Sequence, residues 1–108
     1  MKNRMEPIQK FEEFQIGSYK LNTTTRMLTR NDISKKLSKT DTNLLAYFCA
    51  NNGVSIKRGD CLKAVWGEDN FNNSRSMDVF MCKLRKYLKE DTSIYLINIH
   101  GNGYRFIF

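Results

Sequence analysis

The stretch SRSMDVFMCKLRKYLK, residues 74–89, predicts an amphipathic helix with two unlike faces. One face is a narrow apolar stripe at helical spacing, formed by Met77, Met81, Leu84 and Leu88, with Phe80 and Tyr87 beside it. The opposite arc mixes cations with small neutral side chains, namely Arg75, Ser76, Val79, Cys82, Lys83 and Lys86. Solvated helix faces commonly alternate acids with bases. An arc without acids therefore favours duplex DNA, whose major groove accepts a helix and offers partners to Arg, Lys, hydroxyl and small apolar groups.

The composition is consistent with that prediction and excludes several other classes. The chain has 108 residues and a net charge of +7, with a pI near 9.5, so we expect one basic domain. A basic excess also suits anionic membranes, acidic proteins or mere solubility, and it does not choose among them. No apolar run approaches the ~20 residues of a membrane helix, and the amino end has no apolar signal segment. We therefore expect a cytoplasmic protein.

Short segments on either side of two further helices predict an α+β domain. Residues 14–16, 19–22, 26–29 and 33–37 alternate like strands of an antiparallel meander. Ser38 and Asp41 form a capping-box pattern that begins a helix, which Gly53 ends. An extended link at 54–56, a second helix at 57–66, a Gly67 stop and a polar loop at 68–73 follow. Residues 1–13 have the composition of a linker or tail, and residues 14–108 form the domain.

The stretch HGNGYRF, residues 100–106, predicts a hairpin at the carboxyl end. A two-residue turn at Gly101 and Asn102 pairs Ile99 with Tyr104 and Asn98 with Arg105. That register places Tyr95, Ile97, Ile99, Tyr104, Phe106 and Phe108 on one inward face, with Asn98 and Arg105 on the other. His100 is either a contact at the hairpin tip or a plain turn residue.

Catalysis and metal binding find little support in the sequence. His100 is the only histidine, and the three cysteines lack the paired spacing of a zinc site or a disulfide framework. Cys49 and Cys61 lie in apolar-periodic segments and are expected to be buried. We therefore expect a protein that is not an enzyme and has no cofactor and no metal.

Five motifs in order give the chain a family resemblance. They are Leu37-Ser38-Lys39-Thr40-Asp41 with Leu44-Leu45, Val65-Trp66-Gly67, Arg75-Ser76-Met77-Asp78-Val79, Leu84-Arg85-Lys86 and Gly101-Asn102-Gly103-Tyr104-Arg105-Phe106. Over residues 14–108 the chain resembles the DNA-binding effector domain of OmpR/PhoB-type response regulators, and most closely their RprY branch.

The resemblance implies a winged helix-turn-helix with an N-terminal four-stranded antiparallel sheet, three helices and a C-terminal β-hairpin wing. It implies sequence-specific binding of double-stranded DNA for transcription regulation, with helix 74–89 in the major groove and wing 98–105 at the adjacent minor groove or phosphates. The implied groove contacts are Arg75, Ser76, Val79, Cys82 and Lys83, and the implied backbone contacts are Arg85, Lys86 and Lys89. The implied wing contacts are Asn98, His100, Asn102 and Arg105. The implied RNA polymerase contacts are Glu68, Asp69 and Asn70, for which a solvated loop is the alternative.

The same resemblance implies partners that these 108 residues do not contain. They are direct-repeat promoter sites bound by a tandem dimer, RNA polymerase, an upstream receiver domain and a sensor kinase. Three residues depart from those common in the family. Phe80 stands where many members have His, Cys82 where many have Arg or Lys, and His100 where Arg is frequent. Two other interpretations stay open: a protein-interaction winged helix for an acidic partner, and the cytoplasmic DNA-binding domain of a membrane-anchored one-component regulator.

Overall fold

The computed structural model describes residues 13–101 and 103–108. The chain begins with a meander of four strands: β1 Glu13–Ile16, β2 Tyr19–Asn22, β3 Met27–Arg30 and β4 Ile33–Lys36. Each strand pairs antiparallel with the next, as the alternation predicts. The predicted tail at 1–13 lies outside the described residues except for Glu13, which begins β1.

Three helices follow this sheet in the chain. They are α1 Lys39–Ala50, α2 Arg58–Trp66 and α3 Phe71–Tyr87. The core joins strand residues such as Leu21 and Leu28 to Phe48 of α1 and to the predicted apolar stripe of α3, which is buried as expected. Because the stripe points inward, the opposite arc of α3 is left on the surface.

The predicted helix signals before α3 are confirmed with small shifts. The Asp41 amide donates to Ser38 Oγ at 3.0 Å, and the Ser38 amide donates to Asp41 Oδ2 at 3.4 Å, so the capping box is present. Helix α1 ends at Ala50, three residues before Gly53. Gly67 ends α2 with φ of 89°, in the left-handed conformation that favours glycine.

Helix α3 begins earlier than predicted. It starts at Phe71 instead of residue 74, and it ends at Tyr87 instead of residue 89. Asn70 is the N-cap, because its side-chain Oδ1 accepts from the Asn73 amide at 2.8 Å. The predicted loop at 68–73 is therefore wrong: only residues 67–70 separate α2 from α3.

The carboxyl end forms a three-stranded sheet in the order β5-β7-β6. Strand β5 is Ser55–Lys57, β6 is Tyr95–Ile99 and β7 is Gly103–Ile107. The predicted extended link is thus a paired strand, with Ile56 opposite Tyr104. The sequence does not predict this pair, because the two residues are remote in the chain and nothing local to residues 54–56 indicates the partner.

The predicted hairpin register is wrong by one residue. Ile99 lies opposite Gly103, and Asn98 lies opposite Tyr104, so the turn has three residues, 100–102. An added turn residue moves every side chain of one strand to the other face. Ile97 therefore shares the outer face with Arg105, and Asn98 shares the inner face with Tyr104, the reverse of the prediction. Tyr95 and Ile97 are 56% and 40% exposed instead of buried.

The two glycines of this hairpin serve different purposes. Gly101 has φ of 75°, which the turn requires, and space around it is open. Gly103 faces β5 so closely that a Cβ atom there would overlap the Ile56 carbonyl oxygen. The absent side chain of Gly103 thus lets β5 join the sheet.

Candidate nucleic-acid interface

The outward face of α3 carries an exposed stripe with two cations and no acid. We define the exposed stripe as Asn72, Arg75, Val79, Cys82 and Lys86, which recur at helical spacing and are all exposed. Val79, at its centre, is 59% exposed although it is apolar. Within the described part of the chain, no carboxylate forms an ion pair with Arg75 or Lys86. The stripe therefore presents unneutralised cations around a small apolar centre.

Asn72 and its neighbour Phe71 were not among the predicted contacts, because the predicted helix begins at residue 74. The available signal was Asn70. Asn is a common N-cap residue, and the side chain of this one accepts a hydrogen bond from the backbone amide of Asn73. Phe71 is exposed, and the Arg75 guanidinium lies 5.8 Å from the centroid of its ring. This contact limits the positions available to Arg75 at the first turn of the helix.

Two residues predicted for the groove lie at the edge of the exposed stripe. Ser76 and Lys83 are both half-buried. Lys83 Nζ lies 3.5 Å from Asp41 Oδ2 and 4.5 Å from the centroid of the Phe80 ring. The Asp41 side chain is 2% exposed, and its other oxygen, Oδ1, has no hydrogen-bond partner in the described structure. Lys83 thus faces a buried carboxylate as well as solvent.

Phe80 contributes to packing, as its departure from the family pattern predicts. Its ring lies 5.8 Å from the Trp66 ring in an edge-on arrangement, which joins α3 to α2. Beyond the helix end, Lys89 is exposed near Arg85 and Lys86, so the predicted backbone contacts lie at one end of α3.

Arg58 connects three elements and is not among the residues predicted for the site. From the first residue of α2, its Nη2 donates to Ser74 O at 2.8 Å, Ser74 Oγ at 2.7 Å and Asp78 Oδ1 at 2.8 Å. Its Nη1 donates to the Tyr104 hydroxyl on β7. Burial alone would lower the pKa of this guanidinium, but the hydrogen bond and charge of Asp78 raise it overall, so Arg58 stays charged. No local sequence signal indicates these distant contacts.

Arg85 ties the far end of α3 to the hairpin. Its Nη2 donates to Leu96 O at 3.2 Å and to Asn98 Oδ1 at 2.9 Å. On the outer face, Arg105 Nε donates to Gly53 O at 3.1 Å. Two of the predicted wing contacts, Asn98 and Arg105, therefore make bonds within the domain. His100 is exposed in the turn, and Asn102 lies outside the described residues.

A cleft of about 370 Å³ separates α3 from the hairpin. Arg58, Asp78, Asn98 and Tyr104 line it, together with the backbone of the wing turn. Asp78, which lines the cleft, immediately precedes Val79 of the exposed stripe in α3.

The predicted polymerase loop has mixed roles. Glu68 and Asp69 are exposed between α2 and α3. Asn70 caps α3, and its Nδ2 donates to Glu68 Oε1 at 3.3 Å, while the Asn73 side chain donates to Glu68 O at 3.1 Å. Asn70 thus has a structural function that any contact with a partner must preserve.

The cysteines divide as predicted. Burial raises the pKa of Cys49 and of Cys61 to about 12, so both thiols stay protonated at neutral pH. Cys82 is exposed on the exposed stripe. Across residues 13–101 and 103–108, no group of three His, Cys, Asp or Glu side chains could hold a metal ion. The same residues contain no helix long and apolar enough to cross a membrane.

A four-stranded sheet, three helices and a hairpin beside the exposed face of the third helix define a winged helix-turn-helix domain. Residues 30–106 match the family model described as "Transcriptional regulatory protein, C terminal", and the chain belongs to this family. The predicted resemblance to OmpR/PhoB-type effector domains is confirmed.

Individual relatives agree with this assignment. The transcriptional regulatory protein RprY of Bacteroides fragilis is 43% identical over 94 residues, which cover 87% of this chain and 40% of that protein. The DNA-binding domain of Bacillus subtilis CssR is 30% identical with a TM-score of 0.71, over 83% of this chain and all of that one. The Klebsiella pneumoniae RstA DNA-binding domain, solved in complex with its RstA box, is 26% identical with a TM-score of 0.73, over 89% and 97%. The chain thus spans about two fifths of the length of RprY.

Proposed function

We propose that this domain binds double-stranded DNA sequence-specifically and regulates transcription, with α3 in the major groove. The observation that carries the proposal is the exposed stripe: unneutralised cations around the exposed Val79. Arg and Lys can donate to guanine, Asn can pair with adenine, and small apolar groups can contact thymine methyls. The Klebsiella pneumoniae RstA domain, which has a similar fold, was solved in complex with its RstA box, which supports DNA binding by a domain of this fold.

The roles of individual residues follow from their exposure. Arg75, Val79, Cys82 and the newly recognised Asn72 are the proposed base-edge contacts, with Ser76 and Lys83 at the margin. Arg85, Lys86 and Lys89 are proposed to contact phosphates, because they cluster at the end of α3. His100 and Asn102 are proposed to reach the minor groove or phosphates from the wing turn, whereas Asn98 and Arg105 mainly hold the wing in place.

The wider context is proposed on the same basis. The chain matches two fifths of RprY, which leaves room for a receiver domain in a longer protein of that kind, controlled by a sensor kinase in the cytoplasm. Binding as a tandem dimer to direct repeats, and contact of Glu68 and Asp69 with RNA polymerase, complete the proposal. No catalytic step is part of it.

Selection of bound duplexes from a random pool, followed by titration at several salt concentrations, tests the proposal. We expect a recurring sequence motif and an affinity that falls steeply with salt. Equal affinity for selected and random duplexes at every salt concentration would contradict sequence-specific reading.

Cys82 offers a second test that needs no substitution. Because Cys49 and Cys61 are buried, alkylation of the folded protein should label Cys82 first. We expect a selected duplex to protect Cys82 from labelling, and alkylated protein to bind that duplex more weakly. Unchanged labelling with saturating DNA would place the stripe outside the interface. A basic face that docks an acidic protein instead would give no DNA shift even at low salt.

A further inference from the structure

Asp78 is a carboxylate in an unfavourable place for a DNA-binding helix. It is the only acidic residue of α3, its side chain is 65% exposed, and it lines the cleft between α3 and the hairpin. If α3 enters the major groove and the wing reaches the adjacent minor groove, the sugar–phosphate strand between those grooves crosses this cleft. A free carboxylate there would repel the strand.

Arg58 meets that carboxylate from inside the domain. Its Nη2 lies 2.8 Å from Asp78 Oδ1, and the same nitrogen donates to the Ser74 carbonyl one turn earlier on α3. The other end of the guanidinium donates to the Tyr104 hydroxyl, which is buried on β7. With its side chain 27% exposed, Arg58 is held by α3 and the hairpin together and is not a freely reaching cation.

We propose that Arg58 is a positioning residue for DNA binding, which neutralises Asp78 at the cleft and so lets the DNA strand cross between α3 and the wing. This inference rests on the proposed function. The competing explanation is that Arg58 only braces the fold, through its bonds to Ser74 and Tyr104. The two explanations differ in what happens when the Asp78 charge is also removed.

The test is a set of three variants titrated with a short random-sequence duplex at several salt concentrations. Arg58→Met leaves the Asp78 charge uncompensated, and we expect a roughly three- to tenfold loss of affinity and a salt slope lower by about one. Asp78→Asn in the unmodified background should tighten binding by a similar factor and steepen the slope. In Arg58→Met/Asp78→Asn, affinity and slope should return to within about twofold of the unmodified protein.

The controls separate charge compensation from folding and from net charge. Thermal unfolding of each variant measures the stability that the bonds of Arg58 to Ser74 and Tyr104 provide. The double substitution does not restore these bonds, so it should not restore that stability. Asp32→Asn removes an equal charge in the turn between β3 and β4, on the other sheet, and should tighten binding less than Asp78→Asn does. If Arg58→Met does not fold, the comparison of Asp78→Asn with Asp32→Asn carries the test alone.

Each outcome decides the matter. A double variant that binds as weakly as Arg58→Met, or equal tightening by Asp78→Asn and Asp32→Asn, would overturn the inference and leave the proposed function standing. Absence of salt-dependent binding by the unmodified protein would instead overturn the proposed function.

Discussion

Helix α3 and the β6–β7 hairpin form one surface, yet their polar side chains are used in opposite ways. On α3, Arg75 and Lys86 are exposed and, within the described residues, form no ion pair. On the hairpin, Asn98 accepts from Arg85, and Arg105 donates to the Gly53 carbonyl. Arg75 and Lys86 of the helix thus face outward, whereas Asn98 and Arg105 hold the hairpin against the rest of the domain.

This difference indicates that the helix is the element that contacts DNA bases and that the paired part of the hairpin stabilises the domain. A base-reading surface must keep donors free of internal partners, because an internal bond has to break before a base can take its place. The wing turn at 100–102 is the exception, since it extends beyond the paired residues. Substitutions of exposed α3 residues without internal partners, such as Arg75 and Lys86, should therefore change DNA binding, and substitutions in the paired hairpin should change stability.

The largest effect is expected at Gly103. An added Cβ meets the Ile56 carbonyl, a backbone atom that cannot turn aside, so Gly103→Ala should cost roughly 3 kcal/mol in unfolding free energy, the upper range for overpacking. Gly101→Ala is the matched control, because only its positive φ is unfavourable, at about 1 kcal/mol. Urea denaturation measures both. Equal costs would mean that β5 does not depend on the close approach.

Lys83 and Lys86 compare a contact within the domain with a contact to DNA, both in α3. Lys83→Ala leaves the buried Asp41 carboxylate without its cation, so we expect a loss of roughly 1–3 kcal/mol in stability, with little change in the salt slope of DNA binding. Lys86→Ala should do the reverse, lowering the slope by about one with stability nearly unchanged.

Adding Asp41→Asn to Lys83→Ala should recover part of the lost stability, since the buried charge is then gone. If Lys83→Ala instead costs roughly 1–3 kcal/mol in specific DNA binding and leaves stability intact, Lys83 reads a base as the sequence predicts.

The same pair of elements explains which parts of the fold the sequence could predict. An error of three residues in the start of α3 did not disturb its buried stripe, because the positions of Met77, Met81 and Leu84 relative to one another stay fixed. An error of one residue in the hairpin turn exchanged the faces of β6, because side chains of a strand alternate with a period of two. The strand bounds of the meander were predicted to within one residue, and two of its three turns, Gly17-Ser18 and Asn31-Asp32, have two residues and typical turn sequences.

The site was predictable where it depends on one helix and unpredictable where distant segments meet. Arg75, Val79 and Lys86 follow from periodicity alone. Arg58 with Asp78, Lys83 with Asp41, and Ile56 with Tyr104 all join residues from separate elements. One sequence carries no information on those distances. The contacts that Lys83 and the polar residues of the hairpin make within the domain therefore appear only in the folded structure.

The connection between α3 and the hairpin depends on Asp91. Its carboxylate accepts from the Ser93 hydroxyl at 2.6 Å and the Ser93 amide at 2.9 Å, and from the Ser18 amide and hydroxyl at 2.6 and 2.8 Å. These hydrogen bonds, those of Ser93 most strongly, hold the pKa of Asp91 far below its usual range. The stabilisation is therefore present above the unfolded pKa of about 3.9 and is lost as the pH falls below it.

Asp91→Asn should accordingly flatten the decline of the unfolding temperature between about pH 4 and pH 2, besides lowering stability at neutral pH. Asp32→Asn is the control, an exposed carboxylate of the meander. If the unfolding temperature of Asp91→Asn declines with falling pH as steeply as that of the unmodified protein, other carboxylates govern acid unfolding. The link from Asp91 to the β1–β2 turn would then be dispensable.

The smallest effect is expected at His100, a hairpin residue that is exposed and free to contact DNA as the residues of the exposed stripe are. It is exposed in the wing turn, away from the paired residues that hold the hairpin in place. His100→Arg adds a permanent positive charge at the wing turn and should tighten DNA binding by a few-fold, whereas His100→Ala should weaken binding by a smaller factor. Arg105→Ala on the outer face should affect stability more than binding, because its guanidinium is bonded to Gly53. Titrations of both His100 variants with DNA decide the point. If neither changes the affinity, His100 only forms the turn, and all reading by this domain belongs to α3.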